Sequence, residues 1–227
     1  MLKKWCDLPQ FMQNDEVEKY YNALKTKQFS LFLKRFLDIA LSLVLIVLLA
    51  IPMLIVAILI KLDSKGGVFF RQTRITQYGR EFKIFKFRTM VQNAESLGSQ
   101  VTVKNDMRIT KVGSKIRKLR IDEIPQLFNV LVGDMSFVGT RPEVKKYTDK
   151  YTNEMTATFL MAAGITSTAS IEFKDEDKIL SGEDNVDEVY VTKVLPEKMK
   201  YNLCYIKNFS FIEDIKIMFR TLFAVLK

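Results

Sequence analysis

Residues 39–60 read IALSLVLIVLLAIPMLIVAILI, 22 consecutive positions without a charge. Ser42 is the one plainly polar residue, and Pro52 sits just past the middle. At roughly 1.5 Å per residue a straight helix of this length spans about 33 Å, enough for a hydrocarbon core of about 30 Å. Soluble helices seldom run this far without a polar face, so the stretch reads as a membrane segment rather than a core helix. Lys25, Lys27, Lys34 and Arg35 precede it, and Lys61, Lys65, Arg71 and Arg74 follow it. Positive flanks mark the cytoplasmic side, and here both flanks qualify. Pro52 lacks a backbone donor and disfavours helical geometry at Ile51, which predicts a bend there. A helix that enters, turns and leaves on one face fits these features, and so does a kinked full span. Asp38, at the start of the run, is expected to meet Lys34 or Arg35, because an unpaired carboxylate at that depth is costly.

The chain is expected on this basis to divide into an N-terminal extension (1–33), the membrane helix (34–61) and a cytoplasmic domain (62–227). Hydrophobic residues make up 48% of the 227, yet only this window is long enough to be a membrane helix. Lys and Arg number 35 against 26 acids, a net charge of +9. Such an excess suits anionic headgroups or phosphorylated substrates. The basic residues are interleaved with acids, and no polybasic tail suggests nucleic acid. Cys6 and Cys204 are the only cysteines, without metal spacing, and fit a reducing compartment. Histidine is absent, which excludes histidine triads and histidine-ligated zinc. A metal here must use oxygen ligands, favouring magnesium or manganese. The apolar run begins too far in, and is too long, for a cleavable signal sequence.

The predicted fold is α+β and mainly helical, with a small β-hairpin and amphipathic interfacial helices. Residues 14–27 read as a helix with Val17, Tyr20, Tyr21 and Leu24 on one side, a lid or packing arm. Val68 to Arg74 and Phe82 to Arg88 read as the hairpin, with Arg71, Arg74, Lys83, Lys86 and Arg88 along one ribbon. Helices are expected over 90–100, over 112–121 with Ile116 and Leu119 inward, and from Asp122 through Leu131. Gly139 to Glu143 reads as a turn, residues 164–192 as polar loop, and 201–227 as helical for most of its length. The apolar spacing of that last helix suits either the headgroup plane or docking on the core.

A bound phosphate needs fixed cations, a divalent metal and a nucleophile or base. Arg117, Asp122, Glu123 and Arg141 could provide them, although adjacent acids at a helix start are usually only favourable dipole partners. The whole set of motifs is more specific. Lys34-Arg35-Phe36-Leu37-Asp38 leads the apolar run. It is followed by Val68-Phe69-Phe70-Arg71-Gln72, Phe82-Lys83-Ile84-Phe85-Lys86-Phe87-Arg88-Thr89-Met90, Asp122-Glu123-Ile124-Pro125-Gln126-Leu127-Phe128-Asn129-Val130, and Gly133-Asp134-Met135-Ser136-Phe137-Val138-Gly139-Thr140-Arg141-Pro142-Glu143. In order and spacing these resemble the bacterial sugar transferase family, small monotopic phosphoglycosyl transferases acting on undecaprenyl phosphate.

The resemblance implies a re-entrant helix, with Lys34, Arg35, Asp38 and Pro52 as its membrane-boundary and break residues. It implies a catalytic Asp122–Glu123 dyad that also handles Mg2+ (or Mn2+), and Lys86, Arg117 and Arg141 at the substrate phosphates. It implies transfer of a sugar 1-phosphate from a UDP-sugar to undecaprenyl phosphate, with UMP released and a phosphosugar-enzyme intermediate. The setting it implies is the cytoplasmic face of the bacterial inner membrane, at the first membrane step of surface polysaccharide synthesis. Downstream glycosyltransferases or a second copy would be partners. The chain departs from the family at Ala50-Ile51-Pro52, where members usually have Ser-Pro. It departs again at Ala162-Ala163-Gly164-Ile165-Thr166 and Ser167-Thr168-Ala169-Ser170-Ile171-Glu172-Phe173, so the sugar is not read from the sequence. A membrane-attached scaffold without chemistry is the alternative from another class. The intact dyad and arginines argue against it.

Overall fold

The computed structural model describes residues 2–94, 106–174, 179–180 and 185–226. Helix α1 (Asp15–Lys25) starts where Asn14 accepts a hydrogen bond from the Val17 amide, with Asp15, Glu16 and Glu18 in the first turn. Val17, Tyr20, Tyr21 and Leu24 are buried, as their spacing predicts. They pack with Leu8, Met12, Phe159 and Leu160, so the N-terminal arm is part of the core.

Helix α2 (Gln28–Asp63) runs 36 residues and carries Pro52 inside it. The predicted break at Ile51–Pro52 therefore does not divide the element into two helices. Among the described residues this is the one helix long and apolar enough to cross a membrane, and only 6% of its most apolar window is buried. That exposure sets it apart from a core helix. Its buried positions are Lys34, Asp38, Ser42 and Ile60, towards the two ends. Val47, Leu48 and Ile51 in the middle are 69%, 68% and 73% exposed.

Strands β1 (Phe69–Ile75) and β2 (Glu81–Phe87) form the expected antiparallel hairpin, with Phe70 opposite Lys86 and Arg74 opposite Phe82. Four of the five basic residues lie on this ribbon, but not on one face of it. Successive side chains alternate faces, so Arg74 and Lys86 lie with Phe82 and Ile84, while Arg71 and Lys83 lie on the other face. Arg88 follows the strand and donates to the Ser64 and Lys65 carbonyls at the end of α2.

Helix α3 (Lys111–Lys118) is capped by Thr110. Leu119, expected inward, is 57% exposed because the helix ends one residue earlier. The helix predicted over 90–100 lies mostly outside the described residues, and 91–94 form a turn. Helix α4 (Gln126–Val132) leads through Gly133, at φ 93°, into β3 (Met135–Val138). Short α5 (Lys145–Thr148) follows, and β4 (Ala163–Thr166) pairs parallel with β3. A Cβ on Gly164 would stand 2.1 Å from the Gly139 amide nitrogen, so only glycine permits this crossing.

After α6 (Thr168–Glu172), helix α7 (Val186–Val189) passes through a π-turn, Tyr190–Val194, into α8 (Leu195–Lys207). The stretch 201–227 is helical for most of its length, as expected, in two helices, α8 and α9 (Phe211–Leu226), separated at Asn208–Ser210. Helix α9 docks through Asp214 and Ile217 and leaves Ile212, Phe219, Leu222 and Phe223 exposed. It therefore both packs on the core and presents an apolar face.

Candidate functional site

The dyad sits on a 3-10 turn, Ile121–Glu123, between α3 and α4. Arg120, just before it, is left-handed at φ 56°, ψ 19°, a conformation that costs a non-glycine residue on the order of 1 kcal/mol. This reversal turns both carboxyls inward, leaving Asp122 and Glu123 only 7% and 8% exposed.

The two neighbours have different surroundings. Glu123 Oε1 accepts from Lys86 Nζ at 2.9 Å and from Arg141 Nη2 at 2.5 Å, with Arg120 Nη1 at 3.8 Å. Burial alone would push its carboxyl up, but Arg141 and Lys86 together hold it well below the usual carboxylate range. Burial pushes the Lys86 ammonium down, against the opposing charge of Glu123. Asp122 makes no hydrogen bond or ion pair within 4 Å among the described residues. Burial raises its carboxyl, Lys86 opposes the rise, and Glu123 adds to it. One acid is thus held ionised by a cationic clamp, and the other is desolvated with its oxygens uncommitted.

The clamp comes from three segments. Lys86 projects from β2, which Asn129 of α4 fastens by accepting from the Phe85 amide and donating to the Lys83 carbonyl. Arg141 belongs to the loop after β3. Its neighbour Glu143 accepts from the Tyr190 hydroxyl at 2.5 Å, with Lys198 at 3.7 Å and Arg74 at 3.9 Å. The sequence placed Arg74 only on the flank of the apolar run and on the hairpin, and gave no role to Tyr190 or Lys198. Tyr190 and Lys198 lie 47 and 55 residues beyond Glu143, and no local pattern signals the pairing.

Lys86, Glu123 and Arg141 of the predicted set meet directly. Arg117 favours the charged form of Asp122 but makes no ion pair with either acid. The predicted pairing of Asp38 with Lys34 or Arg35 is corrected. Asp38 Oδ1 accepts from the Ser136 hydroxyl at 3.1 Å and the Phe137 amide at 3.0 Å. Lys34 instead donates to the Val138 carbonyl and to Asp214, and Arg35 to the Val130 and Leu131 carbonyls at the end of α4. Cations at a helix C-terminus satisfy its orphan carbonyls, which here outcompete the nearby acid. Pro52 lies in the exposed middle of α2, apart from these contacts. No cluster of three or more cysteine or acidic residues suited to a metal occurs among the described residues.

The family model for bacterial sugar transferases matches residues 29–227. The chain is similar to a UDP-N-acetylgalactosamine-undecaprenyl-phosphate N-acetylgalactosaminephosphotransferase of Aeromonas hydrophila, 39% identical over 86% of this chain and 44% of that protein. It is similar to a UDP-glucose:undecaprenyl-phosphate glucose-1-phosphate transferase of Klebsiella pneumoniae, 36% identical over 84% of this chain and 39% of that one. The chain thus spans less than half the length of these two relatives. It covers 88% of the uncharacterized sugar transferase EpsL of Bacillus subtilis, at 34% identity over 86% of its own length. A family match that begins at the start of α2 and runs to the last residue, with the dyad and its clamp inside it, shows that the chain belongs to the bacterial sugar transferase family.

Proposed function

We propose that this chain transfers a sugar 1-phosphate from a UDP-sugar to undecaprenyl phosphate through a phosphosugar carried on Asp122. The observation that carries this is the buried, uncommitted Asp122 beside a Glu123 already clamped by Lys86 and Arg141. An Asp122 oxygen bonds to the sugar-bearing phosphorus, and the bond from that phosphorus to the bridging oxygen breaks. The electron pair leaves with UMP. An oxygen of undecaprenyl phosphate then bonds to the same phosphorus and frees Asp122, giving undecaprenyl-diphosphate-sugar. Lys86, Arg141 and Arg117 face the charge of the diphosphate, and Glu123 keeps the first two in place. The relatives' names, transferases onto undecaprenyl phosphate, support the acceptor.

The donor set fits a magnesium ion, which is held by one or two carboxylates together with substrate phosphates and water. Asp122 and the less engaged Oε2 of Glu123, 3.5 Å from Arg141 Nη1, are the oxygens that would hold it. Bound there, the ion would neutralise diphosphate charge. A panel of UDP-sugars offered with undecaprenyl phosphate is expected to yield UMP from at least one member. A chelator should stop the release and added magnesium should restore it. UMP release at full rate in excess chelator would exclude the ion, and no release from any member would exclude the transfer.

The membrane reading rests on the two ends of α2. Lys34, Arg35 and Asp38 tie one end to α4, β3 and α9. At the other end Asp63 accepts from the Val112 amide, and Arg88 binds the Ser64 carbonyl. Both ends thus rest on one body while the apolar middle stands clear. That suits a re-entrant helix with everything else on the cytoplasmic face of the bacterial inner membrane. Phe29, Phe32 and Phe36, with Phe219 and Phe223 of α9, are exposed and would lie among the headgroups. The product is a substrate for downstream glycosyltransferases. In a background without Cys6 and Cys204, Gln13→Cys and Gln92→Cys are both expected to be shielded from an impermeant thiol reagent in intact cells. Labelling at Gln13→Cys alone would show a full span.

A further inference from the structure

We propose that Gln126 and Arg74, together with Lys86 and Arg141, form a subsite for the phosphate that leaves with the nucleoside. The proposal rests on the transfer reaction above. A small cleft beside the dyad is lined by Arg74, Ile84, Lys86, Gln126, Arg141 and Pro142. No acid lines it. Gln126 is 1% exposed, and its amide nitrogen has no hydrogen-bond partner among the described residues. The buried Nε of Arg74 is also without one, although Arg74 Nη1 donates to the Pro142 carbonyl. Buried donors are normally matched, and donors gathered around one cleft from β1, β2, α4 and the loop after β3 call for an acceptor-rich ligand. Phosphoryl oxygens are such a ligand, and the cationic lining favours their charge.

The position says which phosphate. Lys86 and Arg141 each reach Glu123 on one side and line the pocket on the other. A diphosphate straddling them has one phosphorus at Asp122 and the other in the pocket. In-line displacement sends the leaving oxygen away from the attacking carboxylate, so the pocket receives the nucleoside phosphate as its bond to the sugar phosphate breaks. Gln126 and Arg74 then stabilise charge that grows on the leaving group.

The test uses the full chain in detergent and compares wild type, Gln126→Met and Arg74→Gln. Gln126→Met keeps the shape and removes the donor. It is expected to raise the KM for the UDP-sugar and the inhibition constant of UMP about ten-fold, the loss of one hydrogen bond to a charged group. The KM for undecaprenyl phosphate should stay within about two-fold, a change smaller than any lost hydrogen bond. Arg74→Gln should repeat this selectivity, and carries the test if Gln126→Met does not fold. A rise in the lipid KM with UMP inhibition unchanged would give the pocket to the acceptor phosphate and overturn the proposal. No change in either would show that the pocket holds water only. If wild type releases no UMP at all, the transfer reading fails by itself. Calorimetry with inorganic phosphate then decides the subsite, where a ten-fold weaker Gln126→Met supports it and equal binding overturns it.

Discussion

Asp122→Asn is expected to lose UMP release and lipid transfer by more than about a thousand-fold, the scale for removing a nucleophile. It should fold as well as wild type or better. The side chain keeps its size, and the Glu123 clamp does not include it. Burial raises the Asp122 carboxyl above its unfolded value. The stability linked to that group is therefore fully present below the unfolded pKa and is lost as pH rises through the folded one. At neutral pH an ionised Asp122 costs the fold free energy, and the neutral amide removes that cost. The two outcomes together separate chemistry from structure. Incubating enzyme with a radiolabelled UDP-sugar alone and taking the intact mass gives the decisive reading. Wild type should acquire the label without lipid, because the covalent route splits the transfer into two halves. An Asp122→Asn enzyme that still acquires it would refute the assignment. A wild type that never does, with kinetics requiring both substrates bound, would make direct transfer the mechanism.

The difference between Asp122 and Glu123 was not legible in the sequence. Adjacent acids look alike in a motif, and what separates them is the tertiary approach of Lys86 from β2 and Arg141 from the loop after β3. The elements themselves were more legible. An uncharged run of 22 residues announces a long helix, and period-two apolar residues around Gly79 announce a hairpin. Val17, Tyr20, Tyr21 and Leu24 gave the buried face of α1, because local periodicity and burial agree there. Elsewhere local pattern met a constraint from afar. Arg120 in the left-handed region ends α3 early and exposes Leu119, and no residue type at that position signals it. The C-terminal apolar spacing continued across Asn208–Ser210, so the break between α8 and α9 did not interrupt the pattern. Asp38 was paired with its own helix because the sequence shows neighbours along the chain. Strand β3, about a hundred residues away, supplies its partners instead, the Ser136 hydroxyl and the Phe137 amide.

Lys34→Met is expected to destabilise the fold by about 3–5 kcal/mol, the range for stranding one member of a buried ion pair. Lys34 Nζ lies 2.6 Å from Asp214 Oδ2, with side chains only 8% and 3% exposed. It also donates to the Val138 carbonyl, and Asp214 accepts from the Tyr205 hydroxyl at 2.7 Å. Removing the ammonium leaves a carboxylate with a single neutral donor and almost no water. For a chain of this size the loss corresponds to a fall in Tm of about 10 °C. The double variant Lys34→Met with Asp214→Leu should recover most of it, since no charge is then left without its partner. The consequence extends to the site. Val138 immediately precedes Gly139 to Arg141, so the same ammonium that pins α2 to α9 also holds the strand that delivers Arg141 to Glu123. Loosening it should therefore lower turnover at temperatures where the protein is still folded, and the double variant should restore stability more fully than turnover. Thermal unfolding in detergent, followed together with UMP release, checks both parts. A Lys34→Met protein unfolding within about 2 °C of wild type, less than the shift for 1 kcal/mol, would show that the ion pair does not hold α2 to α9.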